Sequence, residues 1–209
     1  MNIGIIGSGP VGGTLWERWA KLGHKVIFGS RDPAASQIQD LVRRSGANAS
    51  AASLEKAAAD SELVVITLPW SAAEKVIPSL DLKGKIVFDC MNPFKADLSG
   101  LSTGDGASAG VQVAKWAKGG SVVKIFNTTG VNNMADSKYA GGNAAMFYCG
   151  GDERAKAAAK QLAWDLGFDP VDAGPIENSG LLENMAMLWV WLAFKSGFGR
   201  EFAFEIARR

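Results

Sequence analysis

A glycine-rich stretch near the amino terminus has the clearest chemical pattern in the chain. The segment "GIIGSGPVGGTL" contains Gly7, Gly9 and Gly12 in the spacing Gly-x-Gly-x-x-Gly, between a strand-like run and a helix-like run. The first glycine permits a tight turn, the second lets a pyrophosphate approach the backbone, and the third lets helix and strand pack closely. The helix terminus also offers free N–H groups to an anion. This context predicts a dinucleotide site formed by Gly7, Ser8, Gly9, Pro10, Val11 and Gly12.

The end of the second predicted strand indicates which dinucleotide binds. A site for NAD normally carries a carboxylate there, but the stretch "VIFGSRDP" places Gly29, Ser30 and Arg31 at that position. Gly29 makes room, while a serine hydroxyl and a planar guanidinium suit a 2′-phosphate. Ser30 and Arg31 therefore predict NADP(H). Asp32 follows directly, and if it turned inward to a ribose it would allow NAD instead.

Polar or small residues follow three more predicted strands, in "TLPW", "DCMNP" and "FNTTG". Ligands of open α/β sheets lie outside the carboxyl ends of the strands. The first stretch is expected to wall the adenine or ribose, and the other two to meet the nicotinamide or the substrate, although ordinary turn chemistry explains each one equally well. The residues are Leu68 and Pro69, Asn92 and Pro93, and Asn127, Thr128 and Thr129.

A protein proton donor is missing from this pattern. His24, the single histidine, precedes the second strand and so lies at the opposite edge of the sheet, while Tyr139 and Tyr148 lack a lysine four residues later. Lys124, inside "SVVKIF", is the one candidate acid, or else a buried, paired lysine. No residues have metal-ligand spacing. We therefore predict no catalytic side chain and no metal, and hydride transfer to a ring that accepts hydride directly, such as a flavin or deazaflavin.

Alternating strand-like and helix-like runs must position these residues. They predict an α/β fold, a Rossmann-type doubly wound, mostly parallel sheet with a short C-terminal helical portion. We expect the chain to have two parts: an NADP-binding domain at residues 1–175 and a helical segment at residues 176–209. The predicted strands are Ile3–Ile6, Lys25–Phe28, Leu63–Leu68, Lys85–Asp89, Ser121–Phe126, Ala144–Cys149 and Phe168–Asp172. The predicted helices are Pro10–Leu22, Pro33–Ser45, Leu54–Ala59, Ser71–Leu80, Ala109–Ala117, Glu153–Leu166 and Leu181–Lys195, with a Gly/Ser-rich loop at Gly100–Gly110.

The last helix is apolar nearly all round, whereas a surface helix has a polar face. It is expected to form core or a dimer interface, or to line the acceptor cleft through Met187. Its most apolar stretch, "MAMLWVWLAF", has ten residues, and a bilayer span needs about 20.

Composition narrows the class of protein further. The 209 residues carry a net charge of +1, which gives no reason to expect nucleic acid or an anionic membrane as a partner. Cys90 and Cys149 sit in apolar runs and are expected to be free, buried thiols. The amino terminus has no secretory pattern. A cytoplasmic protein is expected.

These stretches occur in the order found in a known family. The chain resembles the coenzyme F420-dependent NADP oxidoreductases and is similar to the cytosolic reductase domain of the six-transmembrane epithelial antigen metalloreductases. The resemblance rests on the Gly7–Gly12 loop, "GSR" at Gly29–Arg31, "TLPW" at Thr67–Trp70, "VVKIFNTTG" at Val122–Gly130 and "DAGP" at Asp172–Pro175.

The resemblance implies NADPH with its 2′-phosphate on Ser30 and Arg31, and its nicotinamide near Asn92-Pro93 and Asn127–Thr129. It implies coenzyme F420, FAD or FMN as a co-substrate in a cleft completed by the C-terminal region, in a homodimer. Two other functions stay open from the residues. One is an NADPH-dependent imine reductase of the pyrroline carboxylate type, and the other is a non-catalytic NADP sensor that docks a partner through the last helix.

Overall fold

Within the described residues, eight strands form one twisted sheet in the order β3-β2-β1-β4-β5-β6-β9-β10. The computed structural model describes residues 1–103, 108–207 and 209. The first six strands of the sheet are parallel, while β9 runs antiparallel to β6 and parallel to β10. This is the strand order of a doubly wound dinucleotide-binding sheet, so the predicted fold class is confirmed.

The elements have the following bounds. The strands are β1 (Asn2–Ile6), β2 (Lys25–Gly29), β3 (Ala49–Ala52), β4 (Leu63–Ile66), β5 (Ile86–Asp89), β6 (Ser121–Lys124), β7 (Lys138–Tyr139), β8 (Gly142–Asn143), β9 (Ala145–Gly150) and β10 (Asp169–Asp172). The helices are α1 (Pro10–Lys21), α2 (Ser36–Ser45), α3 (Leu54–Ala59), α4 (Trp70–Val76), α5 (Ala109–Trp116), α6 (Val131–Ala135), α7 (Glu153–Asp165) and α8 (Ser179–Phe194). Short 3-10 turns cover Ile77–Ser79 and Ile176–Asn178, and β7 and β8 form a separate hairpin.

The sheet is covered on both faces, which explains why its central strands are continuously apolar. One core lies beneath α1, α6 and α7, where Trp16 and Trp19 are fully buried. A second core lies beneath α3, α4 and α5. A third, smaller cluster packs around Trp189 of α8. In the described ranges, no helix is both long and apolar enough to cross a bilayer.

Several element bounds differ from the sequence prediction for local reasons. The strand predicted to reach Phe126 ends at Lys124, because Phe126 has a φ of 60° and the chain leaves the sheet there. The helix predicted from Pro33 begins at Ser36, because Ala35 N donates to Asp32 O and closes a turn first. The helix predicted as Ser71–Leu80 becomes α4 and a 3-10 turn at Pro78, whose missing N–H cannot continue an α-helix.

Four short elements were not predicted. Strand β3 reads Ala-Ser-Ala-Ala, which carries no β-type side chains, and it forms because it pairs along β2. Helix α6 and the hairpin of β7 and β8 have too few residues to show a period. Of the predicted Gly100–Gly110 loop, residues 104–107 lie outside the described part of the chain.

A buried ion cluster joins α8 to the sheet. Lys124 Nζ donates to Asp89 Oδ2 at 2.7 Å and to Met91 O at 2.9 Å, and it lies 3.2 Å from Glu183 Oε1. The three charged side chains are 0 % exposed. The Glu183 carboxylate also accepts from the N–H groups of Ala109 and Gly110, the first turn of α5. Lys124 is thus the buried, paired lysine of the two sequence alternatives, and it does not open onto a cleft.

Charge balance governs the protonation of this cluster. Burial by itself lowers the pKa of a lysine, but the charges of Asp89 and Glu183 and their hydrogen bonds outweigh it and raise the pKa of Lys124. Lys124 is therefore charged throughout the neutral range.

We predict that Lys124→Met lowers the free energy of unfolding by about 3–5 kcal/mol, because two carboxylates would be left buried without their cation. Urea unfolding at pH 7 measures this. Lys56→Met, which removes an exposed i,i+4 pair with Asp60, is the matched control and should change stability little. An equal effect of both variants would contradict the structural role of the cluster.

The native chain and Lys124→Met can also be compared as a function of pH. A raised lysine pKa contributes stability that is fully present below the unfolded pKa of about 10.4 and is lost as pH rises through the folded value. The difference in unfolding free energy between the native chain and Lys124→Met should therefore stay constant from neutral pH to about 9 and shrink above about 10.4. A difference that grows with pH would contradict the assignment.

Candidate nucleotide and acceptor site

The turn between β1 and α1 has the geometry that its three glycines predict. Gly7 has a φ of 128°, and a Cβ on it would lie 2.6 Å from the carbonyl oxygen of Thr67. A Cβ on Gly12 would collide with the carbonyl oxygen of Gly7. Around Gly9, by contrast, nothing lies within 4 Å of the Cβ position. Two of the glycines are thus required by packing, while the third faces open space in front of the turn.

Thr67 braces this turn, a role that sequence reasoning missed. Its Oγ1 lies 3.1 Å from Gly7 O and 3.3 Å from Ile6 O, so the hydroxyl donates to the carbonyls that end β1. The residue follows β4, the neighbour of β1. The sequence signal was its place in "TLPW", but only strand order shows which loop it contacts.

The first turn of α1 is open to an anion. Pro10 occupies the first helical position after Gly9, no side chain caps the helix, and its first turn contains no acidic residue. Its N–H groups and the positive end of the helix dipole are therefore free to attract negative charge.

A cleft of 570 Å³ collects most of the predicted cofactor residues. It is lined on one side by the glycine turn, on another by the end of β2, and on a third by the loop after β4. Its predicted lining residues are Gly7, Ser8, Gly9, Ser30, Arg31, Leu68 and Pro69, and it adds Asp32, Ile38 and Leu54. Pro10, Val11 and Gly12 lie in the first turn of α1 behind the loop.

The end of β2 favours a phosphate over ribose hydroxyls. Asp32 Oδ1 accepts from Ala34 N at 3.1 Å, and Asp32 N donates to Ser30 Oγ at 3.2 Å, so the carboxylate caps its own turn. Arg31 is exposed at the cleft, and no carboxylate in the described ranges forms a salt bridge with it. A guanidinium that forms no ion pair within the described residues suits a dianion. The neighbouring Ser30 hydroxyl donates to Asp32 O at 3.1 Å in this structure.

Gly29 has a packing role in addition. A Cβ there would lie 2.7 Å from Ile6 Cδ1 and 3.2 Å from the Cβ of Ala57. The space that this glycine leaves is therefore on the side of β1 and α3, and it lets those elements approach β2.

The loops after β5 and β6 are locked together by two amides. Asn92 Nδ2 donates to the backbone carbonyl of Asn127 at 2.8 Å, which fixes the orientation of the Asn92 amide. Asn92 Oδ1 then accepts from Asn127 Nδ2 at 3.0 Å. Asn127 Oδ1 is consequently left buried without a protein partner in the described part of the chain, as is Thr128 Oγ1. Two unused polar atoms thus belong to consecutive residues beyond the carboxyl end of β6.

Helix α8 closes the far side of this region. Met187 is half-buried and packs with Phe94, Leu98 and Phe202 around Trp189. A cavity of 800 Å³ lies against the start of α8, with Lys95, Asn184 and Met187 in its lining. Phe94 directly follows Pro93, so the loop after β5 connects the amide pair to this apolar cluster.

The two cysteines are buried and free. Burial, more than any neighbouring charge, raises the pKa of the Cys149 thiol to about 12 and raises that of Cys90 well above its ordinary value. Neither is a thiolate at neutral pH. The described residues also contain no cluster of three histidine, cysteine or acidic residues suited to a metal ion.

Comparison with known proteins identifies relatives over the whole chain. A family profile described as "NADP oxidoreductase coenzyme F420-dependent" matches residues 2–93. The chain is 28% identical over 213 residues to the F420-dependent NADP reductase of Methanothermobacter marburgensis, with 94% of each protein covered. It is 27% identical over 189 residues to Metalloreductase STEAP3 of Rattus norvegicus, which covers 87% of this chain but 36% of that longer protein.

Among solved structures, one assigned as an F420 dependent NADP-reductase from Arthrobacter sp. FB24 superposes with a TM-score of 0.89. The two chains are 30% identical, and the match covers 100% of each. The likeness therefore includes α8 and the segment after it as well as the dinucleotide-binding sheet.

We expect Arg31→Ala to weaken NADPH binding by roughly ten- to a hundredfold, because it removes a charge-assisted contact to the 2′-phosphate. NADH, which lacks that phosphate, should bind as before. Fluorescence titration with both nucleotides gives the ratio. Arg44→Ala, an exposed arginine of α2 outside the cleft lining, is the control. Unchanged NADPH affinity relative to NADH would make the 2′-phosphate assignment wrong.

Proposed function

Because the chain belongs to the coenzyme F420-dependent NADP oxidoreductase family, we propose that it transfers hydride between NADP(H) and the deazaflavin ring of coenzyme F420. It is an NADP-dependent oxidoreductase. The main observation in support of the proposal is that one cleft is lined both by the glycine turn and by Arg31, which forms no ion pair within the described residues. In this site we assign the pyrophosphate to the turn and to the start of α1, in reach of Gly7, Ser8, Gly9, Pro10, Val11 and Gly12.

The 2′-phosphate is assigned to Ser30 and Arg31, and the adenine side of the cofactor to the wall formed by Leu68 and Pro69. This orientation runs the dinucleotide from β2 across β1 and β4 towards the loops after β5 and β6. Asn92 and Pro93 then border the nicotinamide. The sheet order supports this path, because β4, β5 and β6 follow β1 in that order across the sheet.

The unused polar atoms after β6 match the chemistry of a ring amide. Asn127 Oδ1 is an acceptor, and the Thr128 hydroxyl supplies a donor. A primary carboxamide such as that of nicotinamide offers two N–H donors and one carbonyl oxygen, which are complementary to these two atoms. Leaving such atoms buried and unpaired costs free energy, so ligand binding would satisfy them. Asn127, Thr128, Thr129 and Met187 are the residues that we assign to the reacting rings.

The reaction needs orientation more than proton transfer. When bound, NADPH would supply a hydride, a hydrogen with both bonding electrons. The deazaflavin substrate would take up this hydride together with one proton from water, which leaves NADP⁺ and the reduced deazaflavin. The contribution of the chain is to align the two rings. In the described residues, Lys124 is enclosed by its ion cluster and His24 contacts Asp165 at the amino-terminal edge of the sheet, so neither is assigned as an acid.

The free, buried thiols support a reducing, cytoplasmic setting for this reaction. The acceptor side also fits a small-molecule hydride acceptor such as FMN or FAD. An imine reductase or a non-catalytic NADP sensor would use the same cofactor cleft, and turnover distinguishes all of these.

We predict that the purified chain oxidises NADPH fastest with F420 as the acceptor, and much more slowly with FMN, FAD or pyrroline carboxylate. Steady-state absorbance, with each acceptor at several concentrations, measures it. Preference for a flavin would correct the acceptor, turnover with pyrroline carboxylate alone would establish the imine reductase, and NADPH binding without any turnover would establish the sensor.

A homodimer is the second part of the proposal. Four large apolar side chains of α8 are at least half exposed, and they share one side of the helix: Leu181, Leu188, Trp191 and Phe194. Exposed apolar surface of this extent favours an interface. A second copy of the chain is the proposed occupant, because one helix can pair with itself across a twofold axis.

Trp191→Lys should therefore shift the chain from dimer to monomer in sedimentation, because a buried interface would receive an unpaired charge. Trp164→Lys, which alters an equally exposed tryptophan on α7, should leave the dimer intact. A native chain that sediments as a monomer at all concentrations would make the dimer proposal wrong.

A further inference from the structure

Asn133 is a buried amide that connects three separate segments. It lies in α6 and is 1% exposed. Its Nδ2 donates to the carbonyl oxygen of Phe202 in the C-terminal segment and to Oγ1 of Thr129, both at 2.7 Å. Its Oδ1 accepts from the hydroxyl of Tyr139 at 2.7 Å and from Asn132 Nδ2 at 3.0 Å. Every hydrogen-bonding position of the amide is therefore used.

Fixed partners determine which way this amide points. Phe202 O is a backbone carbonyl and can only accept, so the atom that faces it must be the NH₂ group. On the other side, Asn132 Nδ2 is itself fixed as a donor, because it donates to the carbonyl of Arg200 at 2.7 Å. Burial, chiefly, raises the pKa of Tyr139, which keeps its hydroxyl protonated and able to donate. The orientation of Asn133 is thus set from both ends.

This orientation decides the role of the Thr129 hydroxyl. Since Asn133 Nδ2 donates to Thr129 Oγ1, the threonine oxygen accepts there, and its own proton must point elsewhere. Within the ranges that the structure describes, no protein atom accepts that proton. Thr129 is half-buried and follows Thr128 in the loop beyond β6, so its hydroxyl proton is available to a ligand that binds at this loop.

The C-terminal segment maintains the arrangement. Trp189 of α8 stacks on Phe202 with ring centroids 5.3 Å apart, and its Nε1 donates to Phe202 O at 3.2 Å. Phe204 O accepts from Ala145 N at 2.8 Å, at the start of β9. The carbonyl that orients Asn133 is therefore held by an indole, and the segment that carries it is attached to the start of β9 two residues later.

We propose that Asn133 is a positioning residue that turns the Thr129 hydroxyl outward as a hydrogen-bond donor to a ring carbonyl of the hydride acceptor. This inference rests on the proposed function, because it requires an acceptor ring next to the loop Asn127–Thr129. A deazaflavin or flavin ring carries such carbonyls, and they gain negative charge when the ring accepts hydride. A donor fixed in advance stabilises that charge without reorganising.

A double-mutant cycle on acceptor binding tests the inference. The dissociation constant of oxidised F420 is measured by fluorescence in the presence of NADP⁺, for the native chain, Thr129→Val, Asn133→Asp and the double variant. Thr129→Val should weaken binding roughly five- to tenfold, the loss of one hydrogen bond. Asn133→Asp should weaken F420 binding to a similar degree. A carboxylate at position 133 would accept a hydrogen bond from the Thr129 hydroxyl, which could then no longer donate to the acceptor ring.

The double variant should bind no more weakly than Thr129→Val alone, since Asn133 acts through that hydroxyl. Thr129→Ser, which keeps the hydroxyl, should bind within about twofold of the native chain, and so should Tyr139→Phe, because Asn132 still orients the amide. Urea unfolding checks that each variant is folded, and Asn133→Ala replaces Asn133→Asp in the cycle if the carboxylate prevents folding. NADP⁺ is kept at a saturating concentration for every variant, so that the titration reports F420 binding alone.

The outcomes separate this inference from the proposed function. The positioning role would be wrong if the two substitutions weakened F420 binding multiplicatively in the double variant. It would also be wrong if Thr129→Val left F420 binding unchanged. F420 binding without turnover would refute the proposed reaction alone, and the cycle would still decide the role of Asn133. A native chain that does not bind F420 would overturn both.

Discussion

The buried cluster of Lys124, Asp89 and Glu183 is the contact on which the acceptor side of the molecule depends. It unites the ends of β5 and β6, the first turn of α5 and the inner face of α8, with all three charges removed from water. Ions so buried are tolerated only when each is paired and hydrogen-bonded. The requirement fixes α8 over the sheet, and with it the apolar cluster around Trp189 and the C-terminal segment that stacks on it.

A second constraint operates on the cofactor side, where backbone must approach backbone. The absence of a Cβ at Gly7 and Gly12 lets β1, α1 and Thr67 meet, while Gly9 leaves open space for the ligand. The two halves of the site are therefore built differently. Close backbone contacts at glycines shape the dinucleotide cleft, whereas paired charges and oriented amides shape the region beyond β5 and β6.

In the region beyond β5 and β6, backbone carbonyls repeatedly fix the orientation of side-chain amides. A backbone carbonyl fixes each amide: Asn127 O orients Asn92, and Phe202 O orients Asn133. Each fixed amide in turn determines what its neighbour presents, an acceptor at Asn127 Oδ1 and a donor at Thr129. One loop thus contains both an acceptor and a donor, and these are the two kinds of group that a ring amide requires.

The sequence by itself determined the fold class, the glycine turn and the preference for a 2′-phosphate, because each depends on residues close together in the chain and on strand periodicity. It also identified the "FNTTG" loop, but not how that loop is held. Four contacts hold these regions: Lys124 to Asp89, Lys124 to Glu183, Thr67 to Gly7 and Asn133 to Phe202. They join residues that are 35, 59, 60 and 69 positions apart, respectively. Such contacts leave no local period. Only tertiary structure decided that Lys124 is enclosed rather than catalytic, because burial and charge pairing arise from the packing of distant elements.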